Sequence, residues 1–472
     1  MGRAGRLTGA HKYLDMAVKV GDNLISQQSD DGSWSSLDSD GPSNDFTAEM
    51  VVWLDEIYQV PGRCPMEIRA IRESELEQMV KLQCLTFDSD RYQRYWHYIR
   101  GDSSYRFEQT RVVIVDGQIA ATLRIWDRDM RIGSQSVRMG GIGGVGTHPD
   151  HRRAGYASEM MKDAIDYMHS AGYEISVLIS TIPQSFYRKL GYESMPMEGF
   201  RTVVRRSVVA PVETDWQVQP FDERRDLEQV VALYDMFNAN QSASIVRSRA
   251  HWETMPARLR GTLPNVVARR GDTLGGYLNF EVNANTARVD EIAYHRNHPI
   301  ILSALSNHLM QVCQQKKIRA IHGNLPHRHP LIDRLVEDCD GDLYLTGDST
   351  MMFFAVNLPQ LLRKLLPDWQ SRLDAAHRTF DSLSISIKLN DQQRVLHLND
   401  AGTLHILDAD PNAYRLELPG EFFWRACLGE SSWSQLETIM HARGIHVLPE
   451  ISRLLTLLFP RQEVVFWTPD QF

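Results

Sequence analysis

Between Gly144 and Ala157 the chain reads GVGTHPDHRRAGYA, a pattern built to hold an anion. A glycine-rich strand runs into a turn at Pro149, Arg152 and Arg153 follow, and Gly155 stands where a helical pattern begins. The first turn of a helix has backbone N–H groups without intrahelical acceptors, at the positive end of the helix dipole. Gly155 has no side chain to keep a phosphate or pyrophosphate off those groups, and the two guanidiniums add charge. From Arg153 to Ser170 apolar residues recur in adjacent pairs: Tyr156 with Ala157, Met160 with Met161, and Ala164 with Ile165, with Met168 one turn on. That period predicts a helix from Arg153 with one buried stripe, stopped by Gly172.

The spacing Arg152-x-x-Gly155-x-Ala157, after a strand and at the start of a helix, resembles the acetyl-CoA signature of the GNAT superfamily of N-acetyltransferases. The resemblance implies that Val145, Gly146 and Thr147 pair with the pantetheine arm. It also implies that the phosphates lie on Arg153, Ala154, Gly155, Tyr156, Ala157 and Ser158, with Arg152 adding charge. A second segment, EISVLISTIPQSFYRKLGYE, resembles the element that lines the far side of the thioester in that family. It adds Ile182 to the cofactor-binding set and puts Tyr187 where many members keep a tyrosine that protonates the leaving thiolate. A phenol with a pKa of about 10 can deliver that proton because the thiolate takes it up at a similar pKa. Tyr192 reads as a core residue.

Many members use a glutamate on the motif strand as base, yet SVRMGGIGGVGT holds no carboxylate and Asp150 reads as a solvated turn residue. From residue 66 to the end, LLFPRQEVVFWTPDQF, the layout resembles the enhanced intracellular survival (Eis) acetyltransferase family. That resemblance implies a third domain similar to sterol carrier proteins, a homo-oligomer, commonly a hexamer, and a general base supplied by the C-terminal carboxylate. Here the matching group belongs to Phe472. A terminal carboxyl with a pKa of about 3.3 to 3.7 in water is ionised and able to take a proton from an ammonium. Val464, Val465, Phe466 and Trp467 are too apolar to stand together in solvent, so the tail is expected to pack.

The elements that must position these residues fall into four blocks, and the expected fold is α+β. Residues 1–63 read as a helical hairpin, in which Gln28, Gly32 and Trp34 resemble one Q-x-x-x-G-x-W repeat of α/α-toroid proteins. Residues 64–210 form a GNAT-like domain binding acetyl-CoA, and residues 211–356 repeat its rhythm without R-x-x-G, a degenerate second copy. Residues 357–472 form the sterol-carrier-like α/β domain with the catalytic terminus; SLSISIKLN is a strand of period two within it.

With 472 residues, 43% of them hydrophobic, the chain has room for about three domains. A net charge of -9 argues against nucleic acid as partner and leans toward cationic acceptors. Five scattered cysteines suggest neither disulfides nor zinc, which fits a reducing cytoplasm. The histidines of HGNLPHRHP lack ligand spacing and read as surface and turn residues, so no metal is expected. No apolar run is long enough for a membrane span. The reading is an acetyl-CoA-dependent N-acetyltransferase of a primary amine. Its acceptor is left open among aminoglycosides, polyamines, lysine side chains and peptide N-termini. The alternatives are a lipid-binding protein acting through the third domain and a CoA-sensing scaffold.

Overall fold

The computed structural model describes residues 66–87, 90, 92–180, 184–205, 213–254, 263–416 and 418–472. The expected hairpin at residues 1–63 and the candidate Ile182 lie outside them. Of the smaller of two compact units only Met66, Glu67 and Ile114–Gln118 are described; the site lies in the larger, residues 68–113 and 119–472.

In the first block the strands are β1 (Met66–Ala70), β2 (Thr110–Val115), β3 (Gln118–Ile132), β4 (Gln135–Thr147), β5 (Ile175–Ile179), β6 (Glu193–Ser194) and β7 (Met197–Val203). Its helices are α1 (Leu76–Thr86), α2 (Tyr92–Arg100), α3 (Tyr156–Ser170) and α4 (Ser185–Arg188). The second block has β8 (Gln217–Pro220), β9 (Ile245–Val246), β10 (Val266–Arg270), β11 (Thr273–Asn283), β12 (Thr286–Tyr294), β13 (Ala320–Gly323), β14 (Leu343–Asp348) and β15 (Met351–Ala355). With them go α5 (Glu223–Asn238), α6 (Arg249–Thr254), α7 (Pro299–Lys316) and α8 (Pro330–Cys339). In the third block α9 (Leu358–Ala375) precedes a four-stranded sheet and further helices.

The two large sheets exchange a strand. The first runs β1-β2-β3-β4-β5-β15-β6 and the second β14-β7-β13-β12-β11-β10-β8. Thus β15, from the second block, sits between β5 and β6, while β7, from the first, sits between β13 and β14. A domain boundary drawn at 210 by chain order therefore separates each strand from the sheet that holds it. The reason is burial: MMFFA of β15 is buried at every position, so it needs a neighbour on both edges.

Both sheets open at the same place. β4 and β5 pair in parallel as far as Ile142 and Leu178, and β12 and β13 as far as Val289 and Gly323. Beyond those pairs β4 runs on to Thr147 and β12 to Tyr294, each still paired with its antiparallel neighbour. Register shifts mark bulges there: Gly144 and Val145 together face Leu123, and Asp290 is the extra residue of β12. Gly144 has φ +60°, a conformation that favours glycine.

The helix expected from Arg153 begins instead at Tyr156. Arg153 has φ 64° and Gly155 φ 78°, left-handed conformations that no α-helix contains. The expected stripe is otherwise present, with Tyr156, Met160, Met161, Ala164 and Met168 buried.

One apolar core joins the first sheet to the third block, from Val177 and Phe353 to Trp369, Phe422 and Trp424. A second fills the second sheet, with Tyr277, Ile292 and Leu305. The C-terminal tail belongs to both, since Phe466 packs in the first core and Val465 and Trp467 in the second.

His329, read above as a surface or turn residue, is buried instead, and its Nδ1 accepts the Leu331 N–H at the start of α8. Burial pushes its pKa down from 6.5 to about 4. Between those values the unfolded chain takes up a proton that the folded one refuses, so this histidine lowers stability as pH falls from 6.5 toward 4. Denaturant midpoints measured across that window are expected to fall less steeply in His329→Gln than in the native chain; equal slopes would contradict the assignment.

Candidate active site

Glycines on β4 let the end of the chain close on it. A β-carbon at Gly141 would stand 2.6 Å from the Phe472 ring, and one at Gly143 would stand 3.3 Å from the carboxyl carbon of Phe472. The terminal carboxylate therefore lies against β4 at Gly143, beside the bulge. Around it the Phe472 ring stacks with Trp126, centroids 6.4 Å apart, and meets Phe466 edge-on at 6.1 Å.

Trp126 is itself held by buried charge. The Arg124 guanidinium lies 3.6 Å from its ring centroid and pairs with Asp102, which also takes Arg128 at 3.1 Å and the Ser104 hydroxyl at 2.8 Å. One carboxylate thus ties two guanidiniums together, and Arg124 positions the indole through cation–π contact.

A cavity of about 510 Å³ opens here, lined by Gln83, Asp90, Arg94, Tyr95, Tyr98, Trp126, Gly143, Gly144 and Phe472 among others. Gln83 Nε2 donates to the Gly144 carbonyl at 2.6 Å, while its Oε1 is buried without a partner among the described residues. Thr122 Oγ1, in the same cavity, is likewise buried and unpartnered. Buried polar atoms in native proteins are rarely left so, and these two are open to a polar ligand.

Tyr187 does not line this cavity. It is buried on α4 and hydrogen-bonds Ser180, just past the point where β5 parts from β4. Burial raises the pKa of its hydroxyl and the Ser180 bond offsets part of that rise. Tyr192 is a core residue, its hydroxyl 2.8 Å from Ser176 Oγ.

Between the separating strands, Val145, Gly146 and Thr147 are paired with β3 or lie on the bulge, and none pairs with β5. Past them Arg152, Arg153 and Gly155 are exposed, Ala154, Ala157 and Ser158 half-buried and Tyr156 buried. Backbone N–H groups of Ala154, Gly155 and Ala157 have no acceptor among the described residues, whereas that of Ser158 donates to the Gly155 carbonyl. Exposed guanidiniums over unused amides are a donor set that fits the phosphates of a CoA thioester. No group of His, Cys, Asp and Glu able to hold a metal occurs among the described residues.

Sequence reasoning missed the wall of the cavity. Helix α2 carries Arg94, Tyr95 and Tyr98 to it, and of YQRYWHYIR only Ile99 is buried. The available signal was Tyr95, Tyr98 and Ile99 at helical spacing. Arg124, a charge within the mostly apolar run IAATLRIW, was a second one.

Residues 67–195 match the family model described as an acetyltransferase (GNAT) domain. No curated protein is similar in sequence. Solved structures similar to the chain include a conserved protein of unknown function from Enterococcus faecalis, described as a probable N-acyltransferase (16% identity, TM-score 0.68, 85% of this chain and 100% of that one). A GCN5-related N-acetyltransferase from Anabaena variabilis is similar at 17% identity and TM-score 0.65, over 86% of this chain and 100% of its own. Eis1 from Mycobacterium abscessus follows at 16% identity and TM-score 0.58, also over 86% and 100%. At such identities the likeness is one of fold. The match over residues 67–195 supports an acyltransferase enzyme, and GNAT acetyltransferases use acetyl-CoA. No helix among the described residues is long and apolar enough to cross a membrane.

Gly141 has no positive φ, so enlarging it tests space rather than backbone strain. In Gly141→Val the side chain displaces the Phe472 ring, and carboxypeptidase is expected to release Phe472 faster than from the native chain. An unchanged release rate would mean that the terminus does not rest on β4.

Proposed function

We propose that the chain transfers the acetyl group of acetyl-CoA to a primary amine, with the Phe472 carboxylate as general base and Tyr187 as general acid. One observation carries this reading: a carboxylate without side-chain slack lies against the bulged, carboxylate-free strand, at the edge of a cavity open to an acceptor.

Acetyl-CoA supplies an activated acyl carbon and a leaving thiolate. Val145, Gly146 and Thr147 offer backbone groups to its pantetheine arm. Arg152 and Arg153 with the loop Ala154, Gly155, Tyr156, Ala157 and Ser158 hold its phosphates. Ile182 completes this set.

An acceptor enters as an ammonium beside Asp90 and the ring of Tyr95, which line the same cavity. Gln83 Oε1 accepts one of its N–H groups and the Phe472 carboxylate removes the proton, leaving the lone pair free to attack. Gln83 is fixed for this by its own bond to Gly144, the residue that makes the bulge. Tyr187, whose pKa burial raises above its ordinary value, is protonated at neutral pH and donates to the sulfur as the C–S bond breaks and charge develops there.

Thiol release from acetyl-CoA across a panel of primary amines tests the reaction. Tyr187→Phe is expected to slow turnover by about 10²- to 10⁴-fold with CoA affinity retained. One glycine appended after Phe472 is expected to do the same. Gln83→Met is expected to raise KM for the amine about tenfold, the worth of one hydrogen bond, and to leave KM for acetyl-CoA unchanged. Native rates in the first two variants would remove both proton-transfer assignments.

A further inference from the structure

The largest buried charge cluster of the second block touches the tail two residues before its end. Arg247 donates to Asp470 through Nε and Nη2, both at 2.8 Å, and to Glu291 through Nη1 at 3.1 Å and through Nη2. All three side chains are almost fully buried. Tyr277 donates to Glu291 at 2.6 Å, and the rings of Tyr234 and Trp252 lie 4.1 and 4.7 Å from the guanidinium. Packed cores seldom hold a guanidinium with two carboxyl groups for stability alone, because desolvation offsets most of their attraction.

The position of the cluster is informative. Glu291 follows the β12 bulge, two residues past the last β12–β13 pair; in the first sheet Phe472 meets β4 at Gly143, one residue past the last β4–β5 pair. Here the second sheet carries a carboxylate on the strand, which the first lacks, and closes it on Arg247. The tail runs past this cluster: Trp467 Nε1 donates to Asn238 at 2.9 Å, the Val465 N–H to the Ser242 carbonyl at 2.9 Å, and Asp470 accepts from Arg247.

We propose that Arg247 is a positioning residue for acetyl transfer: through Asp470 it sets where the Phe472 carboxylate stands on β4, which gives the second domain a part in the chemistry of the first. This rests on the reading of Phe472 as base. With Gln471 alone between them, a shift of Asp470 moves the carboxylate by a comparable amount. A misplacement of about 1 Å at a reacting group costs about 10²-fold in rate.

The test uses the full chain with Arg247→Gln, Asp470→Asn and, as control, Arg269→Gln. Arg269 forms an equally buried pair with Asp226 in the same block, 2.7 Å apart and with no bond to the tail. The expected result is a kcat lower by about tenfold or more in the first two variants, with KM for acetyl-CoA within about twofold. Carboxypeptidase is expected to release Phe472 faster from both, and added formate to restore part of the lost rate by replacing the displaced carboxylate. Arg269→Gln is expected to unfold earlier and keep its kcat per folded molecule. Asp470→Asn keeps the shape of the site and serves if Arg247→Gln fails to fold. Native kcat in a folded Asp470→Asn, or an equal kcat loss in Arg269→Gln, overturns the proposal. The variant with a residue appended to Phe472 separates the two readings. If it keeps full turnover, the base assignment fails; if it loses turnover while both tail-anchor variants keep theirs, only the positioning role fails.

Discussion

Everything at this site depends on holding the last residue of a long chain in one place. A free terminus has no following peptide to restrain it and frays unless its side chains are buried. Here the restraint is distributed. Phe466 is packed in the core shared by the first sheet and third block, Val465 and Trp467 in the core of the second sheet, and Asp470 on a buried guanidinium. Phe472 then needs only its ring on Gly141 and Trp126 to bring its carboxylate to Gly143. The strand exchange between β7 and β15 serves the same end, because a tail anchored in one sheet can act on the other only if the two keep a fixed relation.

Much of the segment proposed to hold acetyl-CoA was legible because its structure follows local rules. Arginines and a glycine ahead of a helix, and a glycine-rich strand leading in, have one physical use, and the helix stripe from Tyr156 to Met168 is periodic. The start of that helix was misjudged by three residues, since composition does not reveal that Arg153 and Gly155 take left-handed conformations. The carboxylate-free motif strand and the apolar chain end were also readable, though only a family resemblance linked them.

The acceptor side was less legible because long-range packing makes it. Helical spacing puts Tyr95, Tyr98 and Ile99 on one face, but it does not say that the face borders a cavity, and nothing near Gln83 says that it grips Gly144. Strand exchange is equally invisible to chain order, as β7 and β15 read like ordinary final strands of their own blocks. His329 shows the same limit in reverse: a polar residue in a polar stretch that tertiary packing buries.

Charge at the terminus is the core of the proposed mechanism, and it can be removed without altering shape. Preparing the chain by protein ligation with a C-terminal carboxamide on Phe472 keeps the ring, the tail and every anchor while abolishing the anion. The account expects acetyl transfer to fall by orders of magnitude with acetyl-CoA affinity intact. An amide-terminated protein that turns over amines at the native rate would contradict it.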